Sequence, residues 1–141
     1  MTKKFNVLVT GGAGYIGSHA VLALLDAGHR PVVIDNLVTG FRWAIADEAT
    51  FYEGDISNSE LVQKIISEQN IDAIMHFAGS VVVPESVENP LKYYNNNTAK
   101  SRSLIQSAVT GGVRHMIFSS TAATYGIPKS SQVREDMPTV P

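Results

Sequence analysis

The segment Thr10-Gly-Gly-Ala-Gly-Tyr-Ile-Gly-Ser-His19 follows the apolar run Phe5-Asn-Val-Leu-Val-Thr10 and leads into an amphipathic run over 15–27. Two glycine patterns overlap in it, Gly12-x-Gly14-x-x-Gly17 and Gly11-x-x-Gly14-x-x-Gly17. Both make the same physical demand. Glycine permits a tight turn, lets the backbone come close to a bound group, and allows a helix to pack hard against a strand. A strand before and a helix after make such a loop an anion cradle, because the helix start offers free N–H groups and a partial positive charge. Asp35 stands 18 residues beyond Gly17, at the end of the next apolar run, Pro31-Val-Val-Ile-Asp35. A carboxylate there can accept hydrogen bonds from both hydroxyls of an adenosine ribose and repels a 2′-phosphate. The loop therefore reads as a dinucleotide site that favours NAD over NADP. Arg42, a few residues on, works against that preference. The blander reading is a tight strand-to-helix turn followed by a strand-end aspartate.

Outward from this loop, short apolar runs alternate with longer amphipathic ones. Ala73-Ile-Met-His-Phe77 and Arg114-His-Met-Ile-Phe-Ser119 join the first two runs, with a weaker one at Thr50-Phe-Tyr-Glu53. Continuous rather than alternating hydrophobicity marks strands buried on both faces. The run 15–27 places Ile16, Ala20, Leu24 and Ala27 on one helical face, with Gly28 at its end. Ser57-Asn-Ser-Glu60 has the form of a capping box, with Leu61, Ile65 and Ile66 as the buried stripe behind it. Asn89-Pro90 predicts an N-cap with proline at the first helical position, opening a helix to about Thr110 that ends at Gly111-Gly112. The order is β-α-β-(short α)-β-α-β-α-β, which right-handed crossovers wind into an open α/β doubly wound parallel sheet, a Rossmann fold. Residues 1–126 read as the dinucleotide-binding domain. Residues 127–141 read as a connecting segment, so the sheet is expected to be incomplete at its C-terminal side.

Composition bounds the rest. The chain has 141 residues, 44% hydrophobic and 17% charged, enough for one continuous core. Its net charge of −2 lacks the basic excess of a nucleic-acid module. It has no cysteine, which excludes a disulfide framework, a thiolate zinc site and a cysteine nucleophile together. The four histidines, His19, His29, His76 and His115, show no metal spacing. Met1-Thr-Lys-Lys precedes an apolar run too short for a signal core, and no run reaches the roughly 20 residues of a spanning helix. The expectation is a soluble, cytoplasmic protein with no metal, nucleic-acid or membrane partner.

Further segments carry a resemblance: Asp35-Asn-Leu37, Gly54-Asp-Ile56, His76-Phe-Ala-Gly79, Glu85-Ser86, Tyr93-Tyr94 with Asn96-Asn97, and Phe118-Ser-Ser-Thr-Ala-Ala-Thr-Tyr-Gly126. Together with the glycine loop they resemble the extended short-chain dehydrogenase/reductase family, and within it the UDP-hexose 4-epimerases. The resemblance implies tightly bound NAD, a UDP-sugar substrate, interconversion of UDP-glucose and UDP-galactose, and a homodimer of the full-length protein. It implies that Gly11, Gly14, Tyr15, Ile16 and Gly17 lie against the pyrophosphate and that Asp35, Asn36 and Leu37 hold the adenosine ribose. Asp55 and Ile56 would border the adenine. Phe77, Ala78, Gly79, Asn97 and Ser119 would line the rest of the cofactor. Thr121 is the catalytic residue it supplies, bonding the sugar hydroxyl that reacts.

The family's base, a tyrosine with a lysine four residues later on one helix turn, has no good match here. Tyr125 and Lys129 have the spacing, but Gly126 and Pro128 stand between them where a helix turn is required. The true pair is expected beyond Pro141. Two departures from the pattern stand out: Val81 where a lysine is common, and Lys100-Ser101 where a Gly-Thr pair is common. Alternative readings are another nucleotide-sugar epimerase or 4,6-dehydratase, and a non-catalytic dinucleotide sensor if the chain naturally ends at 141. Ala122 and Ala123, where a dehydratase commonly has acidic residues, favour the epimerase.

Overall fold

The computed structural model describes residues 3–127 and 132–141. Five parallel strands, β1 (Asn6–Thr10), β2 (Arg30–Asp35), β3 (Thr50–Glu53), β4 (Ala73–His76) and β5 (His115–Phe118), form one sheet in the order β3-β2-β1-β4-β5. Central β1 pairs Val9 with Val33 of β2 and with Met75 of β4. The continuous hydrophobicity of the central strands has the expected cause. Leu8, Val32, Ile34 and Ile74 point to one face, and Val7, Val9 and Val33 to the other. The doubly wound parallel sheet is the Rossmann arrangement, with layers on both sides.

Helix α1 (Tyr15–Asp26) covers one face, where Val21 joins Ile45 and Ala49 from just after the 3-10 turn Arg42–Ala44. Helices α2 (Ser59–Glu68) and α5 (Lys100–Thr110) cover the other, through Val62, Ile65, Ile66, Leu104 and Ala108. Each of the buried valines, leucines and isoleucines contributes roughly 1.5–3 kcal/mol by leaving water. The chain runs outward from β1 to β3 on the α1 side, then returns through α2 to β4 on the other side of β1. The carboxyl ends of β1 and β4 therefore flank the switch point where open α/β sheets bind ligands.

Several local expectations need correction. The buried face of α1 is Gly17 and Val21, with Leu24 and Leu25 packed beside them, while Ile16 and Ala27 are exposed. The cause is Gly17: its bare α-carbon lies against the Gly11 carbonyl, which turns that side of the helix inward. The N-cap of α2 is Asn58, whose side chain accepts from the Leu61 N–H at 3.1 Å. Ser57 instead donates its hydroxyl to Asp55 at 2.7 Å, so the capping box does not form. Val62 takes the fully buried position, and Leu61 is only partly buried.

Asn89 does cap the next helix, accepting from the Lys92 N–H, but that helix is not one α-helix. It runs as α4 (Pro90–Tyr93), a π-helical turn Tyr94–Ala99, and then α5. A further short helix, α3 (Val83–Glu88), precedes it and was not legible in the sequence pattern. Past β5 a 3-10 turn, Ala122–Tyr125, ends at Gly126 with φ 63°. A Cβ at Gly126 would overlap the Val140 carbonyl, so the C-terminal segment folds back onto this turn. Tyr125 is the last residue of that turn, while Pro128 and Lys129 lie outside the described residues.

Candidate functional site

The glycine loop is built by backbone contacts that exclude side chains. Gly11, at φ +70°, leaves β1 beneath the loop after β4, and a Cβ there would stand 2.6 Å from the Ala78 nitrogen. Gly14 is the N-cap of α1, and among the described residues no side chain caps that helix. The open N–H groups at its start therefore point into the crevice at the sheet's carboxyl edge. Tyr15 and Ile16 are 83% and 61% exposed there, with the Tyr15 ring edge-on to His19 at 4.8 Å. The bare α-carbon of Gly14 and the uncapped helix start suit the close approach of a dinucleotide's pyrophosphate.

Asp35 closes the other side. It is buried, and its carboxylate accepts from the Ala13 N–H at 3.0 Å and the Leu37 N–H at 2.8 Å. It thus fixes the glycine loop and keeps one acceptor position on each oxygen for a ribose. Leu37 takes φ 56°, a strained value for a branched side chain. Asn36 accepts from the Val38 N–H at 3.2 Å and reaches Asp55 with its amide at 3.4 Å. Arg42 is held over the Phe51 ring at 4.8 Å.

Asp55 lies past the end of β3. Burial alone would raise its pKa, but hydrogen bonds from Lys100 and from the Ser57 N–H and hydroxyl outweigh that and pull it down to about 2. Ile56 is buried in the core, so its backbone rather than its side chain faces the crevice edge.

The loop after β4 is tied by a connected hydrogen-bond chain. The Ser101 hydroxyl donates to the Asn97 carbonyl at 2.6 Å, so it accepts from His76 Nε2–H at 2.8 Å. Nδ1 of His76 is then an acceptor, and takes the Thr10 hydroxyl proton at 2.6 Å. Thr10 Oγ1 in turn accepts from the Ala78 N–H at 3.4 Å. Burial pushes the His76 imidazole below its ordinary pKa, which keeps it neutral in this role.

Asn97 clamps Ser80 with both ends of its amide, accepting from the Ser80 N–H at 2.7 Å and donating to its carbonyl at 2.9 Å. Its side chain is committed to that loop rather than extended into the crevice. Gly79 abuts it: a Cβ would meet Asn97 Oδ1 at 3.4 Å. Phe77 packs into the α1-side core and Ala78 into the opposite one. Ser119 leaves β5 with its N–H on the His76 carbonyl at 3.1 Å. Exposed Thr121 caps the 3-10 turn, accepting from the Ala123 N–H at 3.1 Å.

The structure thus brings the glycine loop, Asp35, Phe77–Gly79 and Ser119 to one edge of the sheet. Sequence reasoning missed the Thr10–His76–Ser101 chain and the Lys100–Asp55 pair, because their partners stand 66, 25 and 45 residues apart. It also missed a polar knot in which the Tyr93 hydroxyl lies 2.8 Å from both the Val82 carbonyl and the Glu85 carboxylate, which also meets Lys92. The signal available was Lys100 itself, a departure from the family pattern. Among the described residues no group of three or more histidines and carboxylates could hold a metal, and no helix is long and apolar enough to cross a membrane.

UDP-glucose 4-epimerase of Azospirillum brasilense is 55% identical over 135 residues, covering 96% of this chain and 39% of that protein. The Lactobacillus helveticus enzyme of the same name is 53% identical, over 96% and 41%. The chain spans about two fifths of the length of these relatives. Among solved structures, UDP-glucose 4-epimerase from Brucella ovis in complex with NAD superposes with a TM-score of 0.86 at 42% identity, covering 97% of this chain and 42% of that one. The Bifidobacterium longum enzyme in complex with NAD+ and UDP gives 0.86 at 36% identity, over 96% and 42%. The model of one family matches from β1 into the C-terminal segment, residues 7–141, and this chain belongs to it: the NAD dependent epimerase/dehydratase family.

Proposed function

We propose that this chain is the NAD-binding part of a UDP-hexose 4-epimerase that interconverts UDP-glucose and UDP-galactose. The observation that carries the proposal is the uncapped, glycine-lined start of α1 at the switch point between β1 and β4, with buried Asp35 at the end of the neighbouring β2. The relatives sharing that region at 42–55% identity are UDP-glucose 4-epimerases, which supports the substrate. Residues 1–126 act as the dinucleotide-binding domain and 127–141 as the segment leading to the rest of the enzyme. The whole protein works as a cytoplasmic homodimer.

In this reading Gly11, Gly14, Tyr15, Ile16 and Gly17 present backbone N–H groups and a flat surface to the pyrophosphate. Asp35, with Asn36 and Leu37, accepts the ribose hydroxyls through the acceptor positions that Ala13 and Leu37 leave open. Asp55 and the backbone of Ile56 take the adenine edge. Phe77, Ala78, Gly79 and Ser119 line the nicotinamide side, with Asn97 acting through its grip on Ser80. NAD held by these residues would supply the acceptor for the hydride of the sugar's C4–H and the source of its return to that carbon. Thr121 accepts from Ala123, which leaves its own proton to donate to the sugar hydroxyl. As a neutral alcohol it orients that hydroxyl but cannot deprotonate it at neutral pH, so a tyrosine base paired with a lysine must come from the remainder of the enzyme.

The test is to incubate the full-length protein with UDP-galactose and no added reductant, and to separate the products. UDP-glucose approaching a fixed equilibrium ratio is the expected result. Absence of conversion, or formation of a 4-keto-6-deoxy sugar, would overturn the assignment.

A further inference from the structure

Lys100 opens α5, yet its ammonium reaches Asp55 in the loop between β3 and α2 at 2.5 Å. Both side chains are largely shielded, at 23% and 31% exposure. The carboxylate's bonds can be assigned oxygen by oxygen. Oδ1 accepts from the Ser57 N–H at 2.9 Å and from the Ser57 hydroxyl at 2.7 Å, which fills both of its acceptor positions. Oδ2 accepts from Lys100, and its second position is touched only by the Asn36 amide at 3.4 Å, beyond the usual range of a hydrogen bond. One good acceptor position remains, on Oδ2, at the carboxyl edge of β3. Adenine offers one exocyclic amino group as donor.

We propose that Lys100 is a positioning residue for the adenine end of the site, fixing the Asp55 carboxylate so that one lone pair of Oδ2 is left for the 6-amino group of the cofactor. This rests on the reading that NAD binds with its adenine beside Asp55. Ser57 alone anchors only Oδ1 and leaves the carboxylate free to swing about that oxygen. Lys100 supplies the second anchor and comes from the opposite side of the crevice. A lysine at this place therefore reads the base indirectly, through the carboxylate it holds.

The experiment uses the full-length protein freed of cofactor, and measures affinity by calorimetry for NAD and for nicotinamide hypoxanthine dinucleotide, in which an oxygen replaces the 6-amino group. Wild type should bind NAD about tenfold more tightly, the scale of one charge-assisted hydrogen bond. Lys100→Met should narrow that preference to about twofold by weakening NAD alone, leaving the analogue's affinity unchanged, and Lys100→Arg should restore most of it. If Lys100→Met does not fold, Lys100→Gln must show the same narrowing. Equal weakening of both dinucleotides would make Lys100 a mere strap between α5 and the loop, and an unchanged preference would remove it from the site; either overturns the proposal. Wild type binding both equally would overturn it while leaving the NAD reading intact. Wild type binding neither would overturn the NAD reading and this proposal together.

Discussion

Gly17 has no room for a side chain, because a Cβ would overlap the Gly11 carbonyl oxygen, a backbone atom that cannot rotate away. Gly17→Ala is therefore expected to push the start of α1 off the loop, destabilising the protein by about 1–3 kcal/mol and abolishing NAD binding. Urea unfolding measures the first. NADH quenching of Trp43, the only tryptophan and 82% exposed beside the loop, measures the second. Asp35→Ala leaves the Ala13 N–H without its partner, at a cost of about 1–3 kcal/mol. It also removes the charge that would repel a 2′-phosphate, so the NAD-over-NADP preference of wild type should vanish in a competition titration. Equal affinities in wild type would show that Asp35 does not select. These residues were legible in the sequence because each answers a local backbone demand. Asn97 and Thr121 were legible by type but not by use, since their side chains are engaged by Ser80 and Ala123.

At the level of elements, the two candidate caps of α2 separate cleanly. Asn58→Ala should cost about 1 kcal/mol as a lost N-cap. Ser57→Ala should spare the helix and act instead on Asp55, whose Oδ1 it supports. The pattern S/T-x-x-E pointed to the wrong residue because Ser57 turns its N–H and hydroxyl to Asp55 as donors, while Asn58 Oδ1 accepts the helix's Leu61 N–H. His76 joins β1, β4 and α5, and its burial keeps it neutral below its ordinary pKa of 6.5. The unfolded chain then takes up a proton first as pH falls, so this contribution to stability is complete above pH 6.5 and declines below it. His76→Phe should flatten that part of the pH dependence of the urea midpoint and cost about 1–3 kcal/mol by leaving the buried Thr10 hydroxyl without an acceptor. An unaltered pH profile would show that His76 is not the titrating group. The five strands, α1 and α2 were readable from their apolar patterns, whereas α3, the face of α1 and the π-helical turn between α4 and α5 depend on tertiary contacts that periodicity does not contain.

For the molecule as a whole, β5 is an edge strand with Ile117 and Phe118 60% and 63% exposed. An unprotected parallel edge with apolar side chains templates association. The 141-residue chain made alone is expected to self-associate in sedimentation measurements and to show no turnover, since Thr121, the hydroxyl proposed to meet the sugar, is too weak a base. Turnover by that chain would mean that a base has been overlooked. The winding of the sheet was legible from the order of apolar runs, because right-handed crossovers leave few alternatives.

In the proposed epimerase a hydride leaves C4 of the sugar and returns to the same carbon without leaving the site. The most direct measurement of this gives the full-length protein UDP-galactose carrying deuterium at C4 and follows the label in the UDP-glucose formed. The expected result is full retention of deuterium at C4, with none appearing in water and none exchanged between substrate molecules. Release of the label to solvent would contradict the account, as would its transfer to another carbon.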